Sequence, residues 1–155
     1  MYKGDNVMNT LQDLIKKYAA QYKDQVIAWR RHIHSHPELS GQEKETSLFI
    51  QKTLGELGIP FVNDVSDYAV IGEIQGAHTG PVIALRADID ALPIHEETGL
   101  PFASQNEGVM HACGHDGHIS ILLGAAAVLQ SIKEKLYGTV KLVFQPSEEE
   151  ALFPG

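Results

Sequence analysis

The residues best suited to chemistry fall into three short clusters. The first is His111-Ala-Cys113-Gly-His115-Asp116-Gly-His118, which brings a thiol, three imidazoles and a carboxylate into one stretch. Cys113 and His115 are two apart, so in an extended loop their side chains lie on the same side. Gly114 and Gly117 permit the tight bends needed to converge on an ion. Thiolate and imidazole are both good ligands for zinc and similar divalent cations. The pattern alone leaves two other readings open: a solvated glycine-rich turn, and a Cys113 nucleophile activated by His115.

The second cluster is Gln145-Pro-Ser-Glu148-Glu149-Glu150, directly after the apolar stretch TVKLVF. Paired glutamates are usually a solvated surface. In an extended segment, however, adjacent side chains point opposite ways. One of Glu148 and Glu149 could then hold a metal while the other reaches a metal-bound water. The third cluster, Arg86-Ala-Asp88-Ile-Asp90, follows the apolar stretch VIALRA. Asp88 is either a turn residue or a carboxylate that orients an imidazole ligand from behind. His32, His34 and His36 are discounted as ligands. They sit beside Arg30 and Arg31, whose charges oppose a cation, and at a helix end where the dipole alone favours histidine.

The elements that must position these clusters can be read from periodicity. Leu11, Leu14, Ile15, Tyr18 and Tyr22 recur at helical spacing after Thr10, a candidate N-cap, over residues 10–22. A second helix is expected from Asp24 to the stop at Pro37. A third is expected over 43–57, ended by Gly58. Phe61-Val62 and Tyr68–Ile74 read as strands. Pro81–Ala87 is a continuous apolar run, as in a strand buried on both faces. Residues 92–112 look irregular, 117–136 helical, and Thr139–Phe144 a strand. Strands alternating with helices predict an α/β domain with a largely parallel sheet. The three clusters then follow strand ends or precede the buried helix, where open α/β sheets place their ligands.

Composition sets the bounds. The chain has 155 residues, one domain's worth. Hydrophobic residues at 43% and charged residues at 21% are ordinary for a folded domain. Twelve basic and 20 acidic side chains leave a net charge of −8, which argues against nucleic acid as a partner. The single cysteine excludes an internal disulfide. No apolar run is long enough to span a bilayer and no signal peptide is visible, so no membrane partner and a cytoplasmic location are expected.

Four stretches together resemble a known family: WRRHIHSHPELS (29–40), ALRADIDALPIHEETGLPFAS (84–104), MHACGHDGHISILLGAAAVL (110–129) and GTVKLVFQPSEE (138–149). The chain is similar to the metallo-amidohydrolases of the aminoacylase/carboxypeptidase family. The branch is that of hippurate hydrolase, N-acyl-amino-acid amidohydrolases and auxin-conjugate hydrolases. The resemblance implies an α/β three-layer zinc-peptidase-like catalytic domain with a mostly parallel mixed sheet. It implies two divalent ions, Zn²⁺ or Mn²⁺ with Co²⁺ or Ni²⁺ as further candidates, about a bridging water. Cys113, His115 and Glu149 would be ligands, Glu148 the general base and Asp88 a supporting carboxylate. The substrate would be a small N-acyl amino acid or peptide. An N-acetyl-diaminopimelate deacetylase of the same branch and a non-catalytic metal-binding or interaction fragment are the alternatives. Family members continue past QPSEE with further histidine ligands and a lid domain that also dimerises. Residues 1–155 are therefore expected to be the N-terminal part of the catalytic domain, with 1–8 unstructured. That part would be weakly active or inactive alone and unable to form the family homodimer in the usual way.

Overall fold

The computed structural model describes residues 5–152. Helix α1 runs Asp5–Ser35, α2 Lys44–Glu56 and α3 His115–Ser131; strands are β1 Phe61–Val62, β2 Val70–Gln75, β3 His78–Asp88 and β4 Tyr137–Gln145. Of the segment expected to be unstructured, residues 1–4 lie outside the described residues, and residues 5–8 form the start of α1. The two helices expected over 10–22 and from Asp24 are one helix of 31 residues. The sequence from Asp5 to Ser35 holds no glycine or proline, so nothing interrupts the backbone hydrogen bonding, and Thr10 lies inside rather than at a cap. It stops at Ser35, two residues before Pro37, as the proline requires. Helix α2 ends as expected, with Gly58 at φ 67° just beyond it.

The sheet is mixed, in the order β1-β2-β4-β3. β4 pairs parallel with β3 and antiparallel with β2, and β1 pairs antiparallel with β2. Among the described residues, antiparallel pairings therefore outnumber the parallel one, contrary to the largely parallel sheet the alternation suggested. β3 also departs from expectation. It pairs only with β4 among the described residues, and Val82 and Ile83 are 67% and 53% exposed rather than buried on both faces. β3 and β4 come very close at a register irregularity between His78 and Val82. There Gly138 sits at φ 84°, and a Cβ on it would lie 1.9 Å from the Pro81 carbonyl oxygen.

One face of the sheet, carrying Val70, Ile74, Leu142 and Phe144, is buried. It joins Ile50 and Leu54 of α2, Ile119 and Leu123 of α3, and Trp29 and Ile33 of α1 in one core. Burying side chains of this size contributes about 1.5–3 kcal/mol each. The consequence for function is positional. α1 and α2 brace α3, and α3 begins at His115, so the packing of the core fixes where that imidazole starts.

Candidate metal centre

Each chemical cluster hangs from the end of a core element. Asp88 closes β3, and Asp90 follows it. Gln145 closes β4, and Glu148 and Glu149 follow a turn at Ser147. His115 opens α3, preceded by Gly114 at φ 94°, a left-handed residue that lets the chain turn from Cys113 into the helix. Gly117 makes no bend; it lies within α3. Asp116, in the first turn of α3, is tied to α1: Arg30 Nε donates to its Oδ2 at 2.7 Å, and His34 Nδ1 lies 2.8 Å from the same oxygen. His34 is thereby a buried structural partner. The His36 ring nitrogen Nδ1 is 2.8 Å from the His32 carbonyl oxygen.

The structure brings Cys113, His115 and Glu149 together, one donor atom from each lying within 4.8 Å of the others. His115 and Glu149 are buried, and Cys113 is exposed. The Glu149 carboxylate is 3.9 Å from His115 Nε2, and so is the Glu148 carboxylate. The two glutamates therefore do not point to opposite sides. The chain leaves the extended conformation at Ser147 and enters a short 3₁₀ turn at Glu149, so both carboxylates reach the same imidazole. Glu149 is 4% exposed and Glu148 41%, which separates a sequestered carboxylate from one at the mouth of the site.

Asp88 is not the residue that orients His115. Its carboxylate pairs with Arg86 at 2.7 Å and lies 3.9 Å from His118 Nδ1. The orienting group is Asp90, two residues on. Its Oδ1 and its backbone oxygen are each 3.0 Å from His115 Nδ1. With Nδ1 carrying the proton for these acceptors, the Nε2 lone pair faces the site. Asp90 Oδ2 also accepts from the Glu149 N–H and the Ser40 hydroxyl, both at 2.8 Å. One buried carboxylate thus fixes an imidazole and the backbone of a neighbouring donor. Asp90 was legible in principle. It shares a strand side with Asp88, because extended residues two apart point the same way.

The electrostatics suit a cation. Burial pushes the Asp90 carboxyl up, but the hydrogen bonds from His115, the Glu149 N–H and Ser40 outweigh it and hold it down at about 2. The Cys113 thiol is pushed up to about 11, first by its hydrogen bond to Glu149, then by burial and by the charges of Glu149, Glu148 and Asp90. His115 is raised, chiefly by the bond to Asp90. A thiol and an imidazole that both cling to protons are what anions crowded without a counter-charge produce. A divalent cation supplies that counter-charge, and sulfur, nitrogen and oxygen donors together match zinc-like ions. A second trio, Asp88, His115 and His118, has donors equally close. It would have to share the one free nitrogen of His115, and Arg86 pairs with Asp88 Oδ1, leaving Oδ2 as the oxygen that faces His118.

Residues 84–155 match peptidase family M20/M25/M40. Over 141 residues the chain is 47% identical to an N-acyl-L-amino acid amidohydrolase of Geobacillus stearothermophilus, covering 91% of this chain and 38% of that protein. It is also 47% identical, over 146 residues, to an N-acetyl-L-cysteine deacetylase of Bacillus subtilis, covering 94% of this chain and 35% of that protein. A solved Bacillus subtilis structure described as a dinuclear metal binding peptidase from the M20 family superposes with a TM-score of 0.80 at 48% identity. That match covers 88% of this chain and 37% of the other. The chain thus spans little more than a third of the length of these relatives. No helix among the described residues is long and apolar enough to cross a membrane.

Proposed function

We propose that this chain, whose residues 84–155 match peptidase family M20/M25/M40, is part of a member of that family and carries the cation-holding and proton-transferring residues of a hydrolase for the amide bond of N-acyl amino acids or small peptides. The observation that carries this reading is the convergence of Cys113, His115 and Glu149 beside the exposed carboxylate of Glu148. Zn²⁺ or Mn²⁺, with Co²⁺ or Ni²⁺ as further candidates, would be held by Cys113 Sγ, His115 Nε2 and a Glu149 carboxylate oxygen. When bound, the cation supplies Lewis-acid polarisation of the scissile carbonyl and of the attacking water. A second ion would draw ligands beyond this trio.

The remaining chemistry belongs to this chain's own side chains. Asp90 holds His115 with Nδ1–H turned toward its carboxylate, so Nε2 is the nitrogen that faces the site and gives up its proton to a cation. The same carboxylate holds the Glu149 N–H and so keeps that donor in place. Glu148 stands at the mouth of the site, free to meet a water molecule. As the water oxygen bonds to the amide carbon, the Glu148 carboxylate takes a water proton. It then delivers that proton to the nitrogen as the C–N bond breaks, releasing the amine and the carboxylic acid. Amide breakdown needs this delivery because an unprotonated amine anion is a very poor leaving group. The cytoplasm is the proposed compartment, where a lone exposed thiol stays reduced.

The test is metal retention by the 155-residue chain, and hydrolysis of N-acetyl and N-benzoyl amino acids with added Zn²⁺, Mn²⁺ or Co²⁺. The wild type should retain metal after dialysis. Glu148→Gln should retain it equally while removing any hydrolysis. Turnover by the isolated chain should fall well below the ~1 s⁻¹ low end for ordinary enzymes. A wild type that keeps no divalent metal at neutral pH would refute the reading.

A further inference from the structure

The loop between α1 and α2 clips onto the turn that carries the two glutamates. Glu43, just before α2, is completely buried. Its Oε1 accepts the Ser147 N–H at 2.7 Å and lies 3.4 Å from the Ser147 hydroxyl. The Gly41 N–H donates to that hydroxyl at 2.9 Å. Ser40, in the same loop, donates to Asp90, which in turn holds the Glu149 N–H. One loop therefore holds Ser147 directly, through Glu43 and Gly41, and Glu149 indirectly, through Ser40 and Asp90.

The held residue is itself unusual. Ser147 has φ 55°, in the left-handed region that side chains avoid. Left alone, it would relax to negative φ, and the chain beyond it would swing. That chain begins with Glu148 and Glu149. The left-handed turn is what ends the extended run of β4 and sends both carboxylates toward His115. A buried carboxylate is costly unless it gains a strong partner, and the partner here is the backbone N–H of the strained residue. Glu43 Oε2 has no hydrogen-bond partner among the described residues, so the core gains nothing else from the group.

We infer that Glu43 is a positioning residue for the metal centre: its buried carboxylate holds Ser147 in the left-handed turn and so aims Glu148 and Glu149 at the site. This rests on the cation-binding reading above. It goes beyond that reading by giving a role to a residue that touches neither cation nor substrate.

The test uses Co²⁺ as probe on the 155-residue chain. Thiolate-to-cobalt absorption in the near ultraviolet reports binding at Cys113. Glu43→Ala should weaken Co²⁺ binding at least about tenfold, as removal of a partner behind a ligand does. Glu43→Gln keeps an oxygen for the Ser147 N–H and should stay within about threefold of the wild type. On a Ser147→Gly background the left-handed turn is unstrained, so Glu43→Ala should cost no more than about threefold there. Equal Co²⁺ affinity in wild type and Glu43→Ala overturns the inference. So does a loss of the same size with and without the Ser147→Gly change, which would mark Glu43 as a general packing residue. If Glu43→Ala gives no cooperative fold, Glu43→Asp, one methylene short of Ser147, carries the same expectations. If the wild type itself binds no Co²⁺, the functional reading fails, and hydrogen exchange in the metal-free chain decides the positioning claim separately. Faster exchange of the Ser147 and Glu149 amides in the variant supports it, and unchanged exchange overturns it.

Discussion

Replacing Asp90 with asparagine should cost stability in a way that depends on pH. The carboxyl falls from an ordinary 3.8 to about 2, held down against burial by His115, the Glu149 N–H and Ser40. At 1.36 kcal/mol per pH unit, that drop corresponds to about 2.4 kcal/mol of folding stability. A carboxyl with a depressed folded value contributes this above 3.8 and loses it as pH falls through 2. The contribution is about 2.4 kcal/mol at pH 7 and about 1.3 kcal/mol at pH 3. Asparagine removes the charge. Its amide can accept from His115 or from the Glu149 N–H, but its NH₂ end repels whichever donor it meets, leaving a buried donor without a partner. The assay is urea unfolding of wild type and Asp90→Asn at pH 7, 5, 4 and 3, with metal removed. The variant should be less stable by about 2–3 kcal/mol at pH 5, where His115 is charged, and the gap should narrow by about 1 kcal/mol between pH 5 and pH 3. A gap that stays constant from pH 5 to pH 3, or no gap at pH 5, would show that Asp90 does not hold its proton-free form as the geometry requires.

Three further outcomes follow from other parts of the molecule. Cys113→Ala should lower zinc affinity at least about tenfold, measured by competition with a chromogenic chelator, because it removes the one sulfur donor. Gly138→Ala should destabilise the fold by more than about 3 kcal/mol in urea unfolding, because positive φ and a 1.9 Å approach to the Pro81 carbonyl both oppose a Cβ. Gly124→Ala would put a Cβ 2.7 Å from Val26 Cγ2 between α3 and α1, so thermal unfolding should show a loss despite the gain in helix propensity. The Val26→Ala partner should recover that loss, giving a coupling of about 1 kcal/mol or more.

Much of this was written plainly in the chain. Helical spacing found α2 and α3, and the apolar stretches before Asp88 and Gln145 found β3 and β4. The placing of chemical clusters at strand ends put Cys113, His115 and the Glu148–Glu149 pair in one neighbourhood, and the family resemblance implied Glu149 as the ligand of the two. What spacing could not supply was direction. Adjacent glutamates in a strand point apart, and only the turn at Ser147 sends Glu148 and Glu149 the same way. The choice between Asp88 and Asp90 likewise depends on direction, since Asp88 pairs with Arg86 while Asp90 is the carboxylate that meets His115 Nδ1. Glu43 was invisible because its partner is a backbone N–H more than a hundred residues away. The apolar run of β3 misled for a related reason. A run of that kind reports a strand well but not its position in the sheet, and β3 pairs on one side only among the described residues.

The sheet order has a consequence for synthesis on the ribosome. β4, the last of the four strands to be made, lies between β2 and β3, which do not pair with each other. Until residues 137–145 emerge, a nascent chain can form only the two-residue pairing of β1 with β2. β3 must wait with both edges open, its Val82 and Ile83 available to any passing strand. At roughly 5–20 residues per second, the interval from the end of β3 to the end of β4 lasts about 3–11 s. The helices can form early, being local, but the sheet and every donor it carries assemble in one late step. Slow translation through 89–136 should therefore favour aggregation of the newborn chain, and a chaperone that shields short apolar strands should relieve it.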